Sequence, residues 1–78
     1  MIKEAAIRQN GIVYTGKRHS DIMHDPSRPF GFLKYGEQGF VTYDGRFVDR
    51  IEGAKIALKT GQIKHLQWPP NLYSEDLY

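Results

Sequence analysis

The chain has 78 residues, 40% hydrophobic and 26% charged, with no cysteine and a formal net charge of +2; this bounds it to one ordered globular domain and excludes disulfide staples and thiolate metal sites. A single core of this size supplies only a few kcal/mol of net stability, so self-association into a homo-oligomer is the expected further support. The sequence pI is near 9.0, but the basic residues are interspersed with acids, a weak electrostatic footprint that ranks nucleic acid last among partners.

No apolar run approaches the length of a membrane span and no basic-apolar-small leader opens the chain, so a cytoplasmic protein without a membrane partner is expected. In chain order, residues 5–9 and 12–15 are rich in β-formers and flank Asn10-Gly11, a pair suited to the positive φ angles of a two-residue type I′ hairpin. After Gly16, the stretch through His24 reads as a short helix that turns Ile22 and Met23 toward the core and is stopped by Pro26 and Pro29. Residues 27–35 read as a loop carrying Phe30-Gly31-Phe32, whose aromatics cover a core edge or a partner.

Residues 38–43 pair with residues 46–48 across Asp44-Gly45, a second type I′ signal. Asp49 and Glu52 have the spacing of a capping box at the start of a helix over residues 50–60. Ile51, Ala54 and Leu58 share its apolar face, and Gly61 ends it in the left-handed conformation. A last short strand is expected over residues 63–68, followed by an extended exit at Pro69-Pro70. The predicted fold is α+β: two ββα units, hairpin-helix-hairpin-helix, sharing one small antiparallel sheet with both helices on one face. The tail, residues 69–78, is expected to dock on the domain or on a partner subunit, because Leu72, Tyr73, Leu77 and Tyr78 flank its acids.

The residues argue against catalysis. His19 and His24 are five apart, about 140° around a helix, and do not share a face as metal ligands at i and i+4 do. There is no nucleophile elbow, and Gly36-Glu37-Gln38-Gly39 lacks the lysine of a phosphate loop and the third glycine of a dinucleotide fingerprint. No catalytic residue, metal or cofactor is therefore assigned. The residues suit binding instead. Lys17, Arg18 and His19 lie at the start of the first helix and Arg46 and Arg50 around the start of the second, where free amides and guanidinium forks favour phosphate. Gln38 and Gln62 are candidate base or ribose partners, Phe40 or Tyr73 a stacking surface, and Ser74 and Glu75 acceptors for ribose hydroxyls. The competing reading is a solvated surface in which Arg18 pairs with Asp21 and Arg46 with Asp44.

The segments Tyr14-Thr15-Gly16-Lys17-Arg18-His19, Gly36-Glu37-Gln38-Gly39-Phe40-Val41-Thr42, Gly45-Arg46-Phe47-Val48-Asp49-Arg50, Gly61-Gln62-Ile63 and Leu72-Tyr73-Ser74-Glu75-Asp76-Leu77 together resemble a family of small, mostly phage-encoded proteins that carries no settled activity. The likeness spans nearly the whole chain outside residues 25–34. This chain departs from it at Gly53, where alanine is the better helix former, and in a short proline-bearing loop. The resemblance implies a small accessory protein acting in the host cytoplasm, of the kind that blunts host defences. Joined to the basic helix starts, it leads to the expectation of a non-enzymatic sponge for a phosphate-bearing nucleotide signal. The alternative is an anti-CRISPR-like protein that covers a host defence protein with its sheet edge and the Phe30-Gly31-Phe32 loop.

Overall fold

The computed structural model describes residues 1–24 and 36–77; the Phe30-Gly31-Phe32 loop lies outside them. Among the described residues the elements in chain order are β1 (Ile2–Gln9), β2 (Ile12–Gly16), α1 (His19–Met23), β3 (Glu37–Thr42), β4 (Phe47–Asp49), α2 (Arg50–Lys59) and α3 (Ser74–Leu77). The strands form one antiparallel sheet in the order β2-β1-β3-β4, so the protein is α+β with a small four-stranded sheet.

Asn10 at φ 53° and Gly11 at φ 76° make the expected type I′ turn, and Gln9 closes the hairpin opposite Ile12. β1 starts three residues earlier than the β-former pattern suggested, because Ile2 and Glu4 pair with Thr42 and Val41 across a local register shift. The second hairpin corrects the type I′ expectation. Gly45 alone takes a positive φ there, 86°, while Asp44 does not. Gly45 N donates to Thr42 O and Thr42 N to Arg46 O, both at 2.9 Å, giving a three-residue loop of a type I turn followed by a left-handed glycine. The Thr42 hydroxyl donates to the Asp44 carboxylate, which holds Asp44 in the turn.

Asp49 caps α2 by accepting from Glu52 N at 2.8 Å. The reciprocal half of the capping box is replaced, since the Glu52 carboxylate lies 3.9 Å from the Arg46 guanidinium. At the far end Gly61 takes φ 75°, with Gly61 N donating to Leu58 O at 3.2 Å and Gln62 N to Ala57 O at 2.9 Å, the paired bonds of a Schellman stop.

The buried face of α2 is only in part the expected one: Ala54 is buried as expected, but Ile51 and Leu58 are not. Gly53, Ala54 and Ala57 are buried, whereas Ile51 and Leu58 are 45% and 41% exposed. The helix packs through its smallest residues because its backbone lies against the sheet and tail: a Cβ at position 53 would stand 3.2 Å from Phe40 Cδ2 and 3.4 Å from Leu72 Cδ2. That approach also accounts for glycine at a helical position where alanine has the better propensity. The predicted strand over residues 63–68 does not form. Ile63 and Leu66 pack on the core from irregular backbone instead, and the tail ends in the short helix α3 rather than remaining extended.

Ala5, Phe40 and Val48 lie in one row of the sheet and join Ile2, Ile7, Ile22, Ala54, Ala57 and Leu72 in the core, so α1, α2 and the tail pack on the same sheet face. On the opposite face the Phe47 ring crosses Gly39, and the Arg8 guanidinium sits 4.5 Å from the centroid of that ring while pairing with Glu37 at 2.5 Å. Gln62 ties the end of α2 to the start of β1: its Oε1 accepts from Ile2 N at 2.8 Å and its Nε2 donates to Ile2 O at 2.7 Å.

Candidate functional site

The start of α2, the start of β3 and the tail meet at Arg50. Asp49 leaves β4 extended and caps the helix, so Arg50 enters the first turn with its side chain directed between sheet and tail. Nη1 donates to Leu72 O at 2.9 Å, Nη2 donates to Gln38 Oε1, and the guanidinium carbon lies 4.5 Å from the Tyr73 ring centroid. The backbone reinforces the clamp, with Leu72 N donating to Arg50 O at 3.0 Å. Trp68 meets the Tyr73 ring edge-on at 5.5 Å and 79° and is 56% exposed, so a series of planar groups runs from the half-buried guanidinium to solvent.

Arg50 is held by neutral acceptors and a ring. Among the described residues no carboxylate lies within 4.0 Å of it, in contrast to Arg8, which pairs with Glu37, and Arg46, which pairs with Glu52. Burial lowers the guanidinium's pKa, and Tyr73 and Glu75 oppose that shift. An arginine remains charged under such a shift. Two of its five N–H groups are used in the bonds to Leu72 O and Gln38 Oε1, so the site presents a pre-oriented cation with spare donors.

His19, at the start of α1, is 6% exposed, donates from Nε2 to Gly39 O at 2.7 Å and meets the Phe40 ring edge-on at 5.0 Å. Burial pushes its pKa below the ordinary 6.5; the Gly39 carbonyl and Glu75 pull upward and Arg50 downward. The neutral ring is thus the folded form, and the unfolded chain binds the proton more readily. Stability is full above about pH 6.5 and falls as pH drops from there toward the lowered folded value. Urea midpoints measured from neutral to mildly acidic pH are expected to decline, with a shallower slope in His19→Asn; equal slopes would dismiss His19 as the source.

The other candidates from the sequence are dispersed. Ser74 is buried at the start of α3 and Glu75 lies beside it on the surface. Phe40 is 0% exposed inside the core, a position that leaves no ring face for an outside partner. Gln62 has both ends of its amide on Ile2. Lys17 and Arg46 lie on the surface and Arg18 is half-buried as the cap residue of α1. The roles of two tail residues escaped sequence reasoning. Leu72 takes part through its backbone, signalled only by an apolar residue ahead of the acidic pair. Asp76 accepts from Tyr73 N at 3.0 Å and Gln67 N at 3.2 Å, orienting the tail, and nothing local distinguishes it from Glu75.

A family model described as phage T4 y16D protein matches residues 1–78, the full length. The chain belongs to the phage T4 y16D protein family. The family membership agrees with the phage resemblance of the sequence segments, four of which supply Gln38, Arg50, Gln62 and Tyr73. No curated protein and no solved structure matches the chain. Among the described residues no group of three or more His, Cys, Asp and Glu side chains is placed to hold a metal ion, and no helix is long and apolar enough to cross a membrane.

Proposed function

We propose that this y16D-family protein is a non-enzymatic binder that sequesters a phosphate-bearing nucleotide, acting as a counter-defence factor in the cytoplasm of the infected host. The observation that carries the reading is the Arg50 guanidinium, half-buried, fixed by Gln38, Leu72 and Tyr73, and without a carboxylate partner within 4.0 Å among the described residues. A desolvated cation of this kind attracts an anion more strongly than a solvated one. Phosphate oxygens on the remaining Arg50 donors, a base on the Trp68–Tyr73 surface and ribose hydroxyls on Glu75 form the proposed contact set. The same reading takes the hairpin-helix-hairpin-helix order as two ββα units that open their helices beside Arg18 and Arg50.

Thermal melts against a panel of cyclic dinucleotides and ADP-ribose derivatives test this. Ligand at one hundred times its Kd stabilises by about 2.7 kcal/mol, a rise in Tm of about 10–20 °C for a domain of this size. That rise is expected for one class of nucleotide in the wild type and is expected to vanish in Arg50→Gln. A flat panel, together with retention of a host polypeptide in pull-downs, rejects the sponge in favour of a protein inhibitor.

A further inference from the structure

The two edges of the sheet are built differently. β4 has three residues, ends in Asp49 and runs straight into α2, which are the usual protections of an edge: shortness, charge and an abrupt change of direction. β2 has five residues, Ile12-Val13-Tyr14-Thr15-Gly16, without a charge or a proline, and Ile12 and Val13 are 55% and 39% exposed. Natural edge strands of this composition invite another strand.

The register of β2 determines which strand fits. The two-residue Asn10-Gly11 turn makes Gln9 and Ile12 the closing hydrogen-bonded pair. Pairs then alternate along the ladder, so Ile12, Tyr14 and Gly16 direct their backbone groups toward β1 while Val13 and Thr15 direct theirs away from it. The two outward residues are equidistant from Tyr14. A twofold axis through Tyr14 therefore sets Val13 opposite Thr15 of the partner subunit and Thr15 opposite the partner's Val13, an antiparallel register that forms four backbone hydrogen bonds. Ile12 falls opposite the partner's Gly16, and Lys17 opposite the partner's Gly11, so no like charges face each other. Val13 and Thr15 are β-branched and share one face of the sheet, the pairing that stabilises neighbouring strands. An isologous contact needs one patch complementary to itself, and this strand supplies it.

We propose that β2 pairs with β2 of a second copy of this chain, joining two four-stranded sheets into one continuous eight-stranded antiparallel sheet. The contact supports a chain too small for a large core and without disulfides, and it leaves the Arg50 clusters at the far edges of the joined sheet, so it is independent of the ligand proposal.

Light scattering coupled to size exclusion, over a dilution series of the full chain, tests the pairing. The wild type is expected at twice the 9.0 kDa chain mass, shifting toward the single mass on dilution. Val13→Lys/Thr15→Lys, which brings four ammonium groups to the joint, and Thr15→Pro, which removes an outward N–H, are both expected at the single mass with an unchanged far-UV spectrum. Leu58→Lys, on the exposed face of α2, is expected to remain dimeric. A wild type at the single mass at every concentration overturns the proposal, including the case where β2 instead receives a strand from a host polypeptide. A dimer that survives both β2 variants, or that dissociates in Leu58→Lys, overturns it as well.

Discussion

Replacing Gly39 with alanine is expected to cost about 3 kcal/mol or more, or to prevent folding, because the added methyl has no room and its surroundings are backbone. A Cβ there would stand 2.2 Å from Val48 O and 2.7 Å from Phe47 Cζ. The Phe47 ring can rotate, but Val48 O belongs to the ladder that pairs β3 with β4 through Phe40 and Val48, so relief requires moving the strand. Alanine reduces the entropy of the unfolded chain and by that route gains roughly 0.4–1 kcal/mol, well below the cost of the overlap. Gly45→Ala is the internal comparison. Nothing lies within 4 Å of a Cβ at position 45, and only its positive φ resists substitution, a penalty of about 1–2 kcal/mol. Equilibrium urea denaturation of the two variants is expected to rank Gly39→Ala far below Gly45→Ala; equal losses would mean that β4 does not press on Gly39 as described.

Arg50→Met is expected to lower stability by about 2–3 kcal/mol and to release the tail. The substitution removes the donors to Leu72 O and Gln38 Oε1 and the cation stacked on Tyr73. Hydrogen bonds from a charged donor contribute about 1.5–3 kcal/mol each, offset in part because a half-buried cation no longer has to be desolvated. The location of the loss is the sharper readout. Hydrogen exchange is expected to accelerate at Leu72, Tyr73 and Asp76, whose amides bond to Arg50 O, Asp76 Oδ2 and Tyr73 O, while the amides shared by β1 and β3 keep their protection. Arg50→Lys keeps the charge but not the planar fork and is expected to release the tail nearly as fully. A tail equally protected in both variants would show that Leu72 docks by apolar burial alone.

The same cluster carries the functional reading, and the two roles are separable. Tail docking uses the two N–H groups that face Gln38 and Leu72, whereas a bound phosphate would take the remaining ones. A nucleotide that stabilises the wild type is therefore expected to protect the tail amides further, since both partners favour the same guanidinium orientation.

Turn chemistry and helix ends were legible because each depends on one or two residues acting locally. Asn10-Gly11 reads as a type I′ turn since both residues tolerate positive φ, and they adopt it. Asp49 and Gly61 bound α2 for equally local reasons, a carboxylate next to open amides and a residue without a Cβ. Asp44-Gly45 carries a similar dipeptide but sits in a three-residue loop, because the Thr42 hydroxyl and the pairing of Thr42 with Arg46 hold Asp44 on the other side of φ. Gln38, Arg50 and Tyr73 were named from the sequence as members of one ligand site, but their direct contact with one another was not, since it depends on the tail crossing the start of α2.

What the amino-acid sequence determined by itself is the alternation of hairpins and helices and the residues that punctuate it, because φ preferences and end-group hydrogen bonds act within a few residues. Which face α2 buries, why Gly39 and Gly53 have no side chain, and how Gln62 reaches Ile2 sixty positions away were decided by the tertiary structure. Those outcomes depend on close packing between segments distant in sequence, where a few tenths of an ångström at Phe40, Phe47 or Leu72 outweigh the propensity of any single residue.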